Sequence, residues 1–555
     1  MNNEEFQKQK IAYFSMEIAL KNDIFTYAGG LGVLAGDTIR SSADLNIPLV
    51  AVSLISKKGY FKQEITEDGR QIEYPQEWDP SKYMKLLPET IEVKIKNEKV
   101  KVKAWLYEWR SLIGGVVPVL FLDTDVDGNS EENRAITHYL YGGDEKYRLK
   151  QEIVLGIGGV RMLEALGFRI KKYHMNEGHC ALLALELLYK NGTDVDKVRE
   201  SCIFTTHTPV EAAHDKFSYE LISELLGEAD LSLLKKYGGQ DKFNMTLFAL
   251  NMSNYVNGVA QKHREVVGGM FPGYTVHAIT NGVHSYTWTC DSFKRIFNKY
   301  LPGWANEPDF LVRVDVIPEE EIWHAHQEAK KNLIDYVNNV TNINMDYNTF
   351  TMGFARRATG YKRATFLFSD PERLKKINRR YKMQLIFAGK AHPKDDSGKR
   401  IIAEIFDHIK KLKDEIKIVY LPNYDLDLAL KFVSGVDVWL NTPLRPLEAS
   451  GTSGMKAAHN GVINFSVLDG WWVEGCIENV TGWAIGPHPN ENLSSWDTYI
   501  REKDDLYNKL EYVILPMFYN QRDAWIQMMK NSIGKIAYYF NSHRMMRRYV
   551  TEAYL

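Results

Sequence analysis

Short apolar runs of strand length alternate with helical patterns along most of this chain, and this alternation constrains the fold more than any other feature. In the first half the runs predict strands at residues 11–14, 49–54, 117–122, 170–175, 203–206 and 276–280. Helical patterns lie between them, for example at 145–166 and 181–189. Strands that alternate with helices form parallel sheets with helices on both faces.

The second half repeats the alternation more regularly, after a polar stretch with a predicted helix at 318–337. Its predicted strands are 350–354, 383–388, 418–421, 436–440 and 462–465. Its predicted helices are 362–368, 399–412, 426–433 and 454–458, and further helices follow from about Tyr507. The sequence therefore predicts an α/β protein with two doubly wound domains, residues 1–284 and 285–555. Ligands of such sheets bind at the carboxyl ends of the strands, and with two domains in the cleft between them.

Composition excludes several classes of function. Of the 555 residues, 45% are hydrophobic and 25% are charged, as in soluble globular proteins rather than disordered or fibrous ones. The net charge of -2 offers no general field for nucleic acid or an anionic membrane. The four cysteines, Cys180, Cys202, Cys290 and Cys476, form no C-x-x-C pair, so neither a zinc site nor a disulfide framework is predicted. Since no apolar signal segment and no apolar span of ~20 residues occurs, we expect a cytoplasmic protein without a metal.

Clusters of polar residues or glycines tend to follow the predicted strands. They are residues 29–32, 176–179, 206–209, 281–284, 355–357, 389–390 and 448–456. Loops that served stability alone would be scattered over both ends of the sheets. The clusters therefore indicate ligand binding at the carboxyl ends of the strands.

The most informative cluster is EASGTSGMK at residues 448–456. Its small residues lead into a helix, where backbone N–H groups can form a nest that binds an anion. Lys456 lies in the first helical turn, and the spacing is not that of a Walker loop. A lysine beside a phosphate-binding turn is typical of a Schiff base with pyridoxal phosphate. On spacing alone, a capped helix with a solvent-exposed lysine fits slightly better.

A basic cluster, GFARRATGYKR at residues 353–363, places Arg356, Arg357, Lys362 and Arg363 within eight positions. Guanidinium forks and an ammonium group suit a clamp for phosphate or an oxyanion. A solvated basic turn fits the pattern about equally well. The position of the cluster after the first strand of the second domain favours the clamp.

Three weaker signals are the turn Gly29-Gly30-Leu31-Gly32, His207 and Asn281. The glycine turn can bind a phosphate through backbone amides or simply turn the chain. The two polar side chains can hydrogen-bond a substrate, but a lone polar residue at a strand end is more often structural. No H-E-x-x-H, serine elbow or nucleotide-type G-x-G-x-x-G fingerprint occurs, so the common hydrolase and dehydrogenase signatures are missing.

Taken in order, the segments GGLG, NEGH, TTHT, TNGVH, RRATGYKR, LPNY and EASGTSGMK resemble those of the α-glucan phosphorylases, the family of glycogen, maltodextrin and starch phosphorylases. The similarity runs from FSMEIALKNDIFTYAGGLGVLAGD to LDGWWVEG and points to the compact prokaryotic type. It implies the GT-B glycosyltransferase fold, two Rossmann-like domains around a deep cleft. The first domain would bind the glucan and the second would carry pyridoxal phosphate. The C-terminal helices would pack back on the first domain.

The resemblance also implies roles for individual residues. The catalytic set would be Lys456, which binds pyridoxal phosphate covalently, with Arg357, Lys362 and His207. The residues that would line or hold the cofactor are Tyr424, Trp288, Arg356, Gly451, Thr452, Ser453 and Gly30. Substrate phosphate would be bound by Arg357, Lys362 and the backbone of Gly30. The glucosyl unit would be hydrogen-bonded by His207, Asn281, Glu448 and Ser450, with Leu31 and Gly451 close by.

The activity implied is reversible phosphorolysis of terminal α-1,4-linked glucose from glycogen, starch or maltodextrin. The product would be α-D-glucose 1-phosphate, formed with retention of configuration by a homo-oligomer, with a dimer as the first expectation. One alternative is a nucleotide-sugar-dependent glycogen or starch synthase, against which Lys456 in its motif argues. The other is a glucan-binding protein without activity, which would not need Lys456, Arg357 and Lys362 together.

Some positions depart from the long members of the family. Thr359 and Gly360 stand where those members have a His-Glu pair, and Asp425 follows Tyr424 where many have Arg. The first predicted strand begins near residue 11, so the N-terminal arm that carries a regulatory phosphoserine is expected to be absent. We therefore expect a constitutively active enzyme, with no activation by phosphorylation and little by AMP.

Overall fold

The computed structural model describes residues 3–227 and 231–555. The strands in this part of the chain are β1 Ile11–Ser15, β2 Leu49–Leu54, β3 Lys62–Ile65, β4 Gln71–Tyr74, β5 Lys85–Leu86, β6 Ile91–Ile95, β7 Glu98–Arg110, β8 Val116–Asp123, β9 Lys172–Asn176, β10 Cys202–Thr205, β11 Lys216–Phe217, β12 Phe243–Asn244, β13 Tyr255–Gly258, β14 His277–Ala278, β15 Phe350–Ala355, β16 Met383–Ala388, β17 Lys417–Leu421, β18 Val438–Asn441, β19 Ile463–Val467 and β20 Gly482–Ile485.

The α-helices are α1 Asn3–Lys8, α2 Gly30–Asp44, α3 Glu131–Arg134, α4 Glu145–Ile153, α5 Gly159–Ala165, α6 Leu182–Lys190, α7 Val195–Ser201, α8 Tyr219–Leu226, α9 Leu231–Gly238, α10 Met245–Asn251, α11 Gln261–Met270, α12 Ser285–Trp288, α13 Asp291–Tyr300, α14 Glu319–Thr341, α15 Pro371–Arg380, α16 Asp396–Leu412, α17 Leu426–Gly435, α18 Ser453–Ala458, α19 Trp472–Gly475, α20 Ser495–Lys509, α21 Leu515–Asn520, α22 Arg522–Asn531 and α23 Ser542–Tyr549. Segments of π-helix occur at Val154–Gly158, Leu510–Ile514, Ser532–Ala537 and Val550–Tyr554.

The chain divides into two compact units. Unit 1 contains residues 1–61, 75–280 and 545–555, and unit 2 contains residues 62–74 and 281–544. The sequence prediction used two continuous segments that meet after residue 284, whereas both structural units are discontinuous. Residues 62–74 belong to unit 2 although they lie early in the sequence, and residues 545–555 belong to unit 1.

The main sheet of unit 1 has the strand order β14-β13-β10-β9-β1-β2-β8-β7-β5, and β6 also pairs with β7. The strands from β14 to β8 are parallel, and β7 runs antiparallel to β8. Alternate residues of β1 enter different apolar clusters, Ala12 and Phe14 one cluster and Ile11 and Tyr13 the other. The sheet is therefore covered on both faces, which explains why β1 and β2 read as unbroken apolar runs.

The sheet of unit 2 is parallel and has the order β17-β16-β15-β18-β19-β20. From the centre of this sheet, β15, β16 and β17 follow one another toward one edge, and β18, β19 and β20 follow one another toward the other edge. The parallel part of the unit 1 sheet reverses in the same way between β1 and β9. In open α/β sheets such a reversal opens a crevice at the carboxyl ends of the two central strands, where ligands bind.

The structure corrects some predicted elements. The predicted helix at 362–368 is wrong, because this stretch forms two short 3-10 turns, Gly360–Lys362 and Phe366–Phe368. Arg363 lies between them in the left-handed region, with φ 49°, and this interrupts a helix. The predicted strand at 276–280 is reduced to His277–Ala278. In the described residues, no helix is both long and apolar enough to span a membrane.

Candidate active site

In unit 1, two predicted polar clusters lie at the carboxyl ends of adjacent parallel strands. Asn176 is the last residue of β9, and its Nδ2 donates to Ser15 Oγ at the end of β1 (3.1 Å). The Asn176 Oδ1 accepts a hydrogen bond from His207 Nε2, two residues beyond β10 (2.6 Å). This bond assigns the ring proton of His207 to Nε2 and leaves Nδ1 as an acceptor.

His207 is a neutral hydrogen-bonding group rather than an acid at neutral pH. Burial, with a smaller effect of neighbouring histidines, lowers the pKa of His207 to about 3. Glu177 fixes the loop, since its Oε2 accepts from the His207 N–H (2.7 Å) and from Thr208 Oγ1 (2.9 Å). A neutral imidazole held in this way can bind a sugar hydroxyl but cannot serve as a proton reservoir.

The glycine turn of unit 1 starts helix α2 at Gly30. Glu17 holds this turn, because its Oε2 accepts from the N–H groups of Ala28 (2.6 Å) and Gly29 (3.0 Å). The other oxygen of Glu17 accepts from Tyr141 OH (2.9 Å). A Cβ added at Gly30 would meet no atom within 4 Å, so the turn leaves open space beside its backbone. Leu31, next in the chain, is half-buried.

In unit 2, Glu448 joins two of the predicted cations. Arg356 lies directly after β15, and its guanidinium contacts Glu448 Oε2 (2.7 Å) and Asn441 Oδ1 (2.6 Å). Lys362 Nζ contacts the same Glu448 oxygen. The side chains of these three charged residues are 8–10% exposed. The group carries one net positive charge in a nearly dry environment, which suits a bound anion.

The Glu448 carboxylate stays ionised throughout the neutral range. Burial raises its pKa, but the charges of Arg356 and Lys362 outweigh burial and lower the pKa to about 2. Asp469 holds the backbone of Glu448, since its Oδ2 accepts from the Glu448 N–H (2.9 Å). Burial, reinforced by the charge of Glu448, raises the pKa of Asp469 to about 7.

The other two cations of the basic cluster behave differently. Arg357 is exposed. Arg363 supports the chain between β18 and Glu448, since its guanidinium donates to the carbonyls of Thr442 (2.8 Å) and Pro443 (3.0 Å). Between these arginines, the Thr359 Oγ1 atom is buried and has no hydrogen-bond partner among the described residues.

Lys456 is buried, so the solvent-exposed lysine that spacing favoured is excluded. The residue is 8% exposed, and its Nζ lies 4.0 Å from the centre of the Trp288 ring. Helix α18 begins three residues earlier at Ser453, whose Oγ accepts from Trp439 Nε1 (3.0 Å). Gly451 precedes it with φ 73°. The backbone N–H groups of residues 451–453 find no acceptor in the described part of the chain.

Comparisons with known proteins identify the family of this chain. A family model described as carbohydrate phosphorylase matches residues 228–482. Maltodextrin phosphorylase of Thermococcus litoralis is 40% identical, and the match covers 99% of this chain and 70% of that protein. Glycogen phosphorylase of Aquifex aeolicus is 35% identical over 99% of this chain and 87% of its own length. Glycogen phosphorylase of Mycobacterium tuberculosis is 35% identical, and the match covers 98% of this chain and 70% of that protein.

This chain belongs to the carbohydrate phosphorylase family. The prediction of an α-glucan phosphorylase is therefore confirmed, and the alternative of a nucleotide-sugar-dependent synthase is not favoured. The phosphorylase fold is supported by the parallel α/β sheets of both units. The roles of individual residues stay predictions.

The predicted substrate residues of this phosphorylase are distributed over both units. Gly30, Leu31 and His207 lie in unit 1, and Asn281, Glu448 and Ser450 lie in unit 2. Ser450 is buried, and its Oγ donates to the carbonyl of the next residue (3.0 Å). Asn281 is 3% exposed, and its Oδ1 has no hydrogen-bond partner among the described residues. A buried amide oxygen without a donor is costly, so it fits a ligand hydroxyl or a bound water.

Sequence reasoning gave no role to Lys390, although residues 389–390 were among the clusters that follow strands. Lys390 lies two residues beyond β16, and burial lowers its pKa to about 8, against a smaller opposing effect of Asp425. Tyr424 follows β17, and burial raises the pKa of its hydroxyl. Its ring meets Phe432 edge-on at 5.8 Å. Glu17 and Asp469 were also missed, since neither belongs to a cluster that spacing singles out.

Proposed function

We propose that this phosphorylase releases terminal α-1,4-linked glucose from glycogen, starch or maltodextrin as α-D-glucose 1-phosphate, reversibly and with retention, using pyridoxal phosphate. The observation that carries the proposal is the burial of Lys456 against the Trp288 ring, within the motif that the family uses for its cofactor lysine. The curated relatives named maltodextrin and glycogen phosphorylase support the substrate class. The strand order of both sheets supports the Rossmann-like domains that the resemblance implies.

The residues present fit pyridoxal phosphate. This cofactor needs an amine shielded from water, hydrogen-bond donors for its phosphate and a wall for its ring. Lys456 would bind it, and Trp288, Tyr424 and Arg356 would line it. The unused N–H groups of residues 451–453 and the orphaned Thr359 hydroxyl supply donors that have no acceptor within the described chain. When bound, the cofactor supplies a phosphate group that exchanges a proton with the substrate phosphate.

The charged residues of unit 2 would hold the substrate phosphate. An ammonium group has three N–H donors, so Lys362 can keep its bond to Glu448 and still donate to a phosphate oxygen. Arg357, which is exposed, would add a guanidinium fork from outside. Glu448 would orient Lys362 and accept a hydrogen bond from a sugar hydroxyl. This arrangement brings two anions together through positioning and electrostatics.

The low pKa values of Glu448 and His207 argue against both residues as the proton donor. The leaving glycosidic oxygen needs a proton, yet Glu448, with a pKa of about 2, and His207, with a pKa of about 3, are both deprotonated at neutral pH. Neither can act as the general acid. As the resemblance implies, the substrate phosphate would protonate the leaving oxygen, with His207 and Asn281 as hydrogen-bonding groups for the glucosyl unit.

The test is phosphate-dependent release of glucose 1-phosphate from maltodextrin. We expect release by the wild type, loss of at least about a thousandfold in Lys456→Ala, and wild-type rates in the control Lys410→Ala, whose lysine is exposed on α16. Borohydride should fix pyridoxal phosphate on the peptide that contains Lys456. A label on another lysine, or glucan extension from a nucleotide sugar without phosphate dependence, would contradict the proposal.

A further inference from the structure

Two buried glutamines on an early hairpin contact the loops that follow two strands of unit 2. We call residues 62–74 the glutamine hairpin: β3 and β4 pair antiparallel, with Gln63 opposite Glu73 and Ile65 opposite Gln71. The hairpin belongs to unit 2. Gln63 is 1% exposed and Gln71 is 4% exposed. Glutamine is seldom buried this far unless its amide is hydrogen-bonded, so the partners of both amides are informative.

Gln71 pairs with the backbone of Ala391, which lies in the loop after β16. Its Nε2 donates to the Ala391 carbonyl (2.9 Å), and its Oε1 accepts from the Ala391 N–H (3.0 Å). The side-chain amide thus forms the reciprocal pair that a neighbouring strand would form. Both backbone groups of Ala391 depend on this one side chain.

Gln63 contacts the same loop and the next one. Its Nε2 donates to the Gly389 carbonyl (2.9 Å) and to Gln71 Oε1 (2.8 Å). In the loop after β17, the Asn423 N–H donates to Gln63 Oε1 (2.8 Å), and Asn423 Oδ1 accepts from the Gln63 N–H (3.2 Å). Every polar atom of the two side-chain amides is used. Five hydrogen bonds join the hairpin to the loops, four through these amides and one through the backbone N–H of Gln63.

The two loops carry residues of the candidate active site. Lys390 lies between Gly389 and Ala391, and Tyr424 follows Asn423. Gly389 has φ 147°, and a Cβ there would lie 1.9 Å from the Arg356 carbonyl oxygen, so the loop packs directly on the start of the basic cluster. A displacement of these loops would therefore move Lys390 and Tyr424 and would disturb the packing against the Arg356 backbone.

Other contacts fix the hairpin independently of the glutamines. Gly69 at its turn packs against α16, where a Cβ would lie 2.8 Å from Phe406. Glu73 forms an ion pair with Lys399 on the same helix (2.8 Å). A hairpin that served packing alone would carry apolar residues at the one buried position of each strand. The glutamines are therefore explained by the backbone groups that they orient.

We propose that Gln63 and Gln71 are positioning residues that fix the loops at 389–391 and 423–424, and so set the affinity of unit 2 for the cofactor's pyridine ring and phosphate. The inference rests on the proposed function for the identity of the ligand. It does not depend on that function for the ordering of the loops. The two parts can therefore be tested separately.

The first measurement is amide hydrogen exchange on the full-length protein. We compare Gln63→Met, Gln71→Met and the double variant with Lys62→Met, which places the same residue on the exposed side of β3. Met matches Gln in length but lacks its hydrogen bonds. We expect amide exchange at Ala391 to rise about tenfold or more in Gln71→Met, and amide exchange at Asn423 to rise about tenfold or more in Gln63→Met. The strands of the unit 2 sheet should keep wild-type protection.

The second measurement is the dissociation constant of pyridoxal phosphate, followed by absorbance after removal and titration of the cofactor. We expect an increase of about tenfold or more in the double variant, the effect typical of lost supporting contacts around a bound group, and no change in Lys62→Met. An unchanged constant in the double variant, or exchange that rises equally throughout unit 2, would overturn the positioning role. A wild type that binds no pyridoxal phosphate would overturn the proposed function, while exchange would still decide whether the glutamines order the loops.

Discussion

Replacing Glu448 with Gln tests whether the charged group of unit 2 is organised as described. The pKa of this carboxyl is lowered from 4.5 to about 2. At 1.36 kcal/mol for each tenfold change in proton affinity, the folded protein favours the ionised form by about 3 kcal/mol. Gln keeps the shape but removes the charge, and it leaves Arg356 and Lys362 as buried cations without a counter-charge. We expect the free energy of unfolding at pH 7 to fall by about 3 kcal/mol, near the 3–5 kcal/mol of broken buried pairs.

The stabilising contribution of Glu448 should be lost at low pH. Because the pKa of Glu448 is depressed in the folded state, its contribution is complete above the unfolded value of about 4.5 and is lost as the pH falls toward 2. The difference between wild type and Glu448→Gln should shrink below pH 4.5. It should also narrow between pH 6 and 8, because removing the charge of Glu448 lowers the raised pKa of Asp469. Excess phosphate should restore part of the lost stability, since an anion can replace the missing charge.

Urea unfolding followed by tryptophan fluorescence measures these differences. The matched control is Glu415→Gln, because Glu415 also lies in unit 2 but pairs with Arg379 at the surface, where solvent screens the charges. A Glu448→Gln variant that unfolds at the same urea concentration as the wild type would contradict the described pairing. A loss of unfolding free energy no larger than that of the control, or one that persists unchanged at pH 3, would contradict it as well.

Three further substitutions have defined outcomes. Arg357→Ala should weaken phosphate and glucose 1-phosphate binding, with a tens-fold or larger loss in kcat/KM. Its melting temperature should not change, because the side chain is exposed. Unchanged phosphate kinetics would place Arg357 outside the site. Lys330→Met should lower the free energy of unfolding in urea by about 3–5 kcal/mol, since Lys330 Nζ lies 2.6 Å from Asp437 and both side chains are almost fully buried. A loss below about 1 kcal/mol would contradict this expectation. Gly454→Ala should destabilise by about 1–3 kcal/mol, because a Cβ would lie 2.2 Å from a neighbouring amide oxygen, whereas Gly360→Ala, with open space, should not.

Strands that are buried on both faces were predictable from the sequence. The predicted strands at 49–54 and 383–388 coincide with β2 and β16, because continuous burial produces continuous apolar runs. Strand β7, Glu98–Arg110, was missed: its buried residues alternate with half-buried, mostly polar ones, so it contains no apolar run. Its KVKVKAW segment does carry the alternation of a half-buried strand, and that signal was available.

In the candidate site, too, residues of contiguous motifs were predictable and contacts between distant residues were not. The EASGTSGMK motif is contiguous, so Lys456 could be predicted from spacing and resemblance. The contacts of Gln63 with Asn423 join residues 360 positions apart, and no local pattern reports such a pair. Tertiary contacts also explain the wrong helix at 362–368, where Arg363 binds carbonyls about 80 residues away and takes a left-handed backbone.

The assignment of residues 545–555 to unit 1 sets an order of events during synthesis. Met545, Met546 and Tyr549 share with helix α2 the cover of one face of the unit 1 sheet, and Tyr554 OH is hydrogen-bonded to His174 of β9 (2.7 Å). The ribosome must make all of residues 281–544 before this cover exists, which takes roughly 10–50 s at about 5–20 residues per second. Throughout that interval the part of the face that residues 545–555 cover is exposed to solvent or to a chaperone. A message that ends before residue 545 would leave that part of the face permanently uncovered, so nonsense mutations near the 3′ end should yield aggregated protein rather than a shortened enzyme.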